Sequence, residues 1–147
     1  MSTESSPDKL SIIVYDHHFD KVHYALVMAS AAAAIGRPVT IFFTMGACEA
    51  IRGSDKEGCP AWAGMPLSDD TSTGADRDAF YKRTGIATME VLFDACVSFD
   101  VKFMVCEMGL RAKGLENTAL RADLRIERSG VVTFLSDASK DGAVVLI

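Results

Sequence analysis

Residues 10–44 read LSIIVYDHHFDKVHYALVMASAAAAIGRPVTIFFT. Residues 10–15 are an almost continuous apolar run, the pattern of a strand covered on both faces in a parallel sheet. Asp16, His17 and His18 end that run, and Asp20 is placed to cap a helix. From Lys21 the spacing changes: Val22, Leu26 and Ala29 recur every three or four residues, and residues 31–34 are all alanine, the best helix former. Gly36 followed by Pro38 stops the helix. Residues 39–44 (VTIFFT) then read as a second buried strand. Strand, helix and strand within about thirty-five residues make a βαβ unit, whose two strands must run parallel.

The same alternation continues. Residues 48–51 read as a short helix and residues 78–98 as a long one with an irregularity at Gly85, and Ile86, Met89, Leu92, Phe93, Cys96 and Val97 lie on one apolar stripe. Residues 101–105 read as a third strand that ends at Cys106. Residues 114–120 suggest a short helix, residues 122–127 a fourth strand, and residues 129–139 a helix capped by Ser129. Residues 143–147 (AVVLI) complete the set as a last buried strand. The expected architecture is α/β: a doubly wound, mainly parallel sheet of five strands with helices on both faces. Residues 1–9 read as a flexible polar tail, and residues 10–147 as a single domain. Residues 52–75 interrupt the pattern with four glycines, two prolines and no period. A loop of that length is often functional or mobile. It is read either as a surface loop anchored by Trp62 or as a lid or subunit contact.

Composition narrows the function. With 147 residues, 49% of them hydrophobic, the chain can bury one full core. The formal net charge of −5 opposes binding to nucleic acid or to an anionic membrane surface. No apolar run is long enough to span a bilayer, and residues 1–9 lack the pattern of a secretory signal, so a cytoplasmic location is expected. Of the four cysteines, none are spaced as C-x-x-C, which excludes zinc-ribbon and thioredoxin-type motifs. No glycine-rich phosphate loop and no G-x-S-x-G elbow is present, so neither a nucleotide cofactor nor hydrolase chemistry is expected.

Open parallel sheets bind ligands beyond the carboxyl ends of their strands. Here those ends carry His17 and His18, then Thr44, Met45 and Gly46, then Cys106 and Glu107. Cys106 is the leading candidate for chemistry, because a thiol near a helix N-terminus is more readily ionised. Glu107 opposes that, whereas Gly109 lets backbone N–H groups approach the sulfur. A strand-end cysteine that only packs is the alternative. Cys48 is either a second thiol or a packing residue. Cys59 is either a resolving thiol in the loop or incidental, and Cys96 belongs to the core. His17, His18 and His23 form H-H-x-x-x-x-H, which matches no compact metal motif, and no metal is assigned.

Three stretches resemble the DsrE/DsrF-like family. The first is residues 10–47. The second is VKFMVCEMGL at residues 101–110. The third is SGVVTFLSDASKDGAVVLI at residues 129–147. The chain departs from that pattern at Met45-Gly46, where an aromatic is common, and at Glu107 and Lys113. The resemblance implies a three-layer α/β/α sandwich, a homo-oligomer, and sulfur relay in which a cysteine carries sulfane sulfur as a persulfide. It places that cysteine at Cys106. The implied function is a sulfur carrier or sulfurtransferase-like protein without a cofactor. Its partners would be sulfur donor and acceptor proteins or small thiols. The alternatives are a non-catalytic small-ligand-binding or assembly protein of the same fold, and a metal or redox-sensing module.

Overall fold

Alternation along β1 (Leu10–Val14) divides the sheet into two faces. Leu10, Ile12 and Val14 join one buried cluster with Ile41, Phe43, Phe103 and Val105, while Ile13 lies against the opposite cluster of Phe42, Met104 and Cys106. The division follows from the pleat, which turns successive side chains to opposite sides. The computed structural model describes residues 6–147. Its other strands are β2 (Val39–Phe43), β3 (Lys102–Cys106), β4 (Ile126–Ser129) and β5 (Ala143–Leu146). They form one five-stranded sheet, ordered β4-β3-β2-β1-β5, and every pairing is parallel. β2 is the central strand and all of its residues are buried, which accounts for its nearly continuous apolar run.

The helices are α1 (Phe19–Ala34), α2 (Gly74–Arg83), α3 (Met89–Ser98), α4 (Glu107–Ala112) and α5 (Val131–Asp137). Val22, Leu26 and Ala29 of α1, with Met89, Phe93 and Cys96 of α3, fill the first face. On the second face α5 supplies Phe134, whose ring lies 5.1 Å from that of Phe42. The architecture is therefore an α/β sandwich whose third layer is a single seven-residue helix. Among the described residues, no helix is long and apolar enough to cross a membrane.

Several local expectations are corrected. The residue that caps α1 is His18, through its extended backbone, and not Asp20. Asp16 Oδ1 accepts from His18 N–H at 2.7 Å and shapes that turn. The Asp20 carboxylate instead accepts from the backbone and hydroxyl of Ser68, holding the long loop. The expected helix at 78–98 is two helices, α2 and α3. Gly85 adopts φ +79, a left-handed value that a helix interior excludes, and Thr88 starts α3 by accepting from Val91 N–H. Ile86 and Val97 are consequently exposed and leave the buried stripe. Residues 45–51 form a 3-10 helix, Met45–Ile51, in place of the shorter helix expected at 48–51. Residues 114–120 make turns, and the helix after β3 begins directly at Glu107. β4 lies further along the chain than expected, and Ser129 is its last residue. Gly130, not Ser129, precedes α5 as its cap. Of the expected tail, residues 1–5 lie outside the described residues.

The long loop is held by more than one aromatic. Trp62, Met65 and Leu67 are all buried in the main cluster. Trp62 Nε1 donates to Glu90 at 2.6 Å, and Arg121 grips the same carboxylate at 2.6 and 2.8 Å while its guanidinium lies 4.0 Å from the Phe93 ring centre. A short 3-10 helix, Ala61–Gly64, gives this segment its local order.

The second face is closed by charge. Asp137, at the end of α5, accepts from Lys9 at 2.7 Å, from Thr40 at 2.6 Å and from Lys102 at 2.9 Å. Partial burial alone would raise its carboxyl, but the hydrogen bonds from Lys9, Thr40 and Lys102 outweigh that and hold it well below the ordinary aspartate value. A carboxylate depressed in the folded state stabilises the protein above its unfolded pKa of about 3.9, and that contribution is lost as pH falls below it. Asp137→Asn should therefore cost about 2 kcal/mol at pH 7 and flatten the acid limb of the stability profile. Urea midpoints of both proteins between neutral and acid pH measure this; parallel acid limbs would disprove the assignment.

Candidate functional site at the carboxyl ends of the strands

β3 ends at Cys106, and the chain enters α4 at the next residue. Cys106 is the N-cap of α4. Its backbone is extended (φ −78, ψ 118), and its Sγ accepts from Gly109 N–H at 3.4 Å. Serine, threonine and aspartate usually hold this position, where a side-chain acceptor satisfies a free helix N–H. In Cys106 a sulfur takes the place of the usual oxygen acceptor. The thiol is 3% exposed and packs with Phe42, Met104 and Phe134 on the second face.

Two glycines draw the neighbouring strand ends against it. A Cβ on Gly109 would lie 2.5 Å from Met45 N and 2.8 Å from Thr44 Oγ1. A Cβ on Gly46 would lie 2.5 Å from His17 Cβ. α4 therefore rests on the backbone that leaves β2, and that backbone rests on the turn after β1. Met45 makes the bend with φ +47, an uncommon value for a residue with a side chain. Thr44, itself buried, donates its N–H to Val14 O at 2.9 Å. The three strand ends expected to converge, at His17, at Thr44 to Gly46, and at Cys106 to Gly109, are thus brought into contact.

They do not share one cavity. A cleft of about 350 Å³ is lined by His17, Gly46, Glu49, Met65, Pro66 and Lys113 among others, without Cys106. Glu107 is exposed and borders a separate cavity of about 270 Å³ with Arg111 and Arg128. His18 faces Asp16, with Nδ1 2.6 Å from Oδ1. Partial burial would raise the Asp16 carboxyl, and the His18 hydrogen bonds lower it further than that. Asp16, His17 and His18 place one possible ligand atom each within 4.8 Å of one another. His23 is elsewhere: it is buried, its Nε2–H donates to Ala87 O at 2.8 Å, and its ring lies 4.5 Å from Tyr81. Burial lowers its pKa and keeps it neutral.

The other thiols separate clearly. Cys48 is fully buried. Burial pushes its thiol up to about 12, and the electrostatic influence of Cys106 adds to that rise. Cys96 lies in the core and burial pushes it to about 12 as well. Cys59 is exposed on a turn closed by its N–H bond to Asp55 Oδ1 at 2.9 Å. Sequence reasoning missed Ser129, which pairs with Cys106 across β3 and β4. Among the described residues, its Oγ is the one buried side-chain nitrogen or oxygen without a hydrogen-bond partner. Leaving such a hydroxyl unpaired costs about 1–3 kcal/mol.

Residues 6–63, from just before β1 into the long loop, match the profile of the DsrE/DsrF/DrsH-like family. That match bears out the resemblance drawn from the first βαβ unit. The chain is also 27% identical over 158 aligned positions to the uncharacterized protein YrkE of Bacillus subtilis (strain 168), covering 94% of this chain and 95% of that one. Its fold is similar to the crystal structure of the ychN protein from E. coli, with a TM-score of 0.53 and 11% identity over 95% of this chain and 99% of that chain. The protein is thus an α/β chain with a parallel five-stranded sheet, a DsrE-like match over residues 6–63 and a thiol capping the helix after its third strand.

Alkylation under native conditions should follow this burial. At pH 7.5 iodoacetamide should modify Cys59 at least about tenfold faster than any other cysteine, with Cys48 and Cys96 untouched until the protein unfolds. Peptide mass mapping over time reads the order. Early labelling of Cys48 would contradict its placement.

Proposed function

We propose that this protein is a cytoplasmic sulfur carrier of the sulfurtransferase type that holds sulfane sulfur on Cys106. The observation that carries the reading is the Gly109 N–H directed at Cys106 Sγ at 3.4 Å, at the carboxyl edge of a parallel sheet. The DsrE-like match over residues 6–63 supports it. In the loading step the Cys106 thiolate attacks the outer sulfur of a donor persulfide, R–S–SH. The donor S–S bond breaks and its electron pair leaves with R–S⁻. A new S–S bond gives Cys106–S–SH, with no net oxidation. Unloading repeats the exchange on an acceptor thiolate, and Cys106 Sγ receives the electron pair. Burial of the sulfur among Phe42, Met104 and Phe134 slows the access of bulk thiols to the persulfide. The donor and acceptor are proteins or small thiols that approach the carboxyl edge.

In a Cys59→Ala background, which removes the exposed thiol, incubation with glutathione persulfide should make the protein heavier by one sulfur localised to Cys106, and adding Cys106→Ser should abolish the uptake. A Ser variant that gains the adduct equally would end this reading. Ligand binding in the cleft at His17 and Lys113 would then be the function to pursue.

The same reading makes the protein a homo-oligomer. The thin second layer leaves Val131, Val132 and Leu135 of α5 exposed, beside Val144 and Leu146 of the edge strand β5. Apolar side chains gathered on one face favour association with a second copy. Sedimentation equilibrium should give a mass above that of one chain, reduced by Val132→Glu combined with Leu146→Glu; a monomeric wild type would refute self-association.

A further inference from the structure

We propose that Ser129 is the binding group for the transferred sulfur: its hydroxyl holds the outer sulfur of a persulfide on Cys106. The inference rests on the carrier reading of Cys106 and assigns a second residue to that site.

Ser129 is the direct partner of Cys106 in the parallel register of β3 and β4. Paired residues on parallel strands turn their side chains to the same face, and the strands lie about 4.8 Å apart. A sulfur bonded to Cys106 Sγ at about 2.05 Å can therefore bridge most of the gap to Ser129 Oγ. In the thiol form the buried hydroxyl has no hydrogen-bond partner.

The surroundings offer Ser129 nothing else. Cys106, Met104, Phe42 and Phe134 make up the buried cluster on this face, and none of them carries oxygen or nitrogen in its side chain. Thr40 and Lys102 stand at the opposite ends of β2 and β3, four residues down the strand from Cys106, and are committed to Asp137. Ser129 also stands two residues before the start of α5, yet Gly130 is the cap and no side chain caps that helix. A buried unpaired hydroxyl is rare enough to need a reason, and a sulfur that arrives during turnover supplies one.

With sulfur bound, the two donors divide the work. Gly109 N–H stays on Cys106 Sγ, and Ser129 O–H donates to the outer sulfur. When an acceptor thiolate attacks the outer sulfur, the Cys106 S–S bond breaks and its electron pair returns to Sγ, where Gly109 N–H receives the developing charge. The outer sulfur leaves with its proton as the acceptor's persulfide, and Ser129 is again unpartnered.

The test compares wild type, Ser129→Ala and Ser129→Thr, all three carrying Cys59→Ala to remove the exposed thiol, each loaded with glutathione persulfide and followed by intact mass. The adduct on Ser129→Ala should decay about tenfold faster than on wild type, and Ser129→Thr, which keeps the hydroxyl, should restore the slower decay. Ser129→Ala should also melt no lower than wild type, since it removes an unpaired buried group; a purely structural serine would lower the midpoint. Equal adduct lifetimes in wild type and Ser129→Ala would overturn the role of Ser129 while leaving Cys106 as carrier. A wild type that never gains sulfur at Cys106 would overturn both.

Discussion

The backbone of Gly109 lies against Thr44 and Met45 with no room for a side chain between them. A Cβ there would come within 2.5 Å of a main-chain nitrogen, which cannot move away as a side-chain tip can. That contact sets where α4 begins, and the start of α4 sets where the Cys106 sulfur points. Because Gly109 N–H is aimed at Sγ, the cap bond and the close approach are two results of one placement. The other strand ends are tied to it in series, through Met45 to Gly46 and from Gly46 to His17. Larger residues at either glycine would part the strands at the edge where a parallel sheet holds its chemistry.

The unequal faces of the sheet follow from its order. β1, β2, β3 and β4 step in one direction, and the large cluster with α1 and α3 fills one side. Only the return from β4 to β5 uses the other side, and that connection contains a helix of seven residues. Such a helix cannot cover five strands. Phe134 seals the region over Phe42, Met104 and Cys106, and the Asp137 network clamps the far end of α5 to Lys9, Thr40 and Lys102. Cys106 therefore lies under the thinner layer of the structure, on the face where apolar side chains of α5 remain exposed.

Strand positions were legible because β1, β2 and β3 are interior strands whose apolar runs leave no competing period. The edge strands were harder. β4 has one apolar residue in four positions and was displaced by several residues, since an edge strand need bury little. Helix boundaries failed where capping was tertiary. Asp20 has the chemistry of a cap, but Ser68 approaches from the long loop and takes its carboxylate. The break at Gly85 was visible as a glycine, yet a glycine alone does not show that the chain adopts φ +79 and divides the helix. Of the candidate residues, His17, Thr44, Met45, Gly46 and Gly109 meet in space as topology suggested. His18 turns to Asp16, and His23 enters the core.

Sequence alone determined the parallel α/β class and the strand that ends in Cys106, because buried-strand runs and helical spacing are local patterns set by backbone geometry. It also singled out Gly109 beside the thiol. Only the tertiary structure decided which donor faces the sulfur, that the thiol is 3% exposed, and that Ser129 stands opposite it. The physical reason is register. Cys106 and Ser129 are separated by a helix and a run of turns, and nothing in either segment states which residues will pair across β3 and β4. That choice is made when both strands bury their apolar face against the same core, and it carries the hydroxyl to the sulfur.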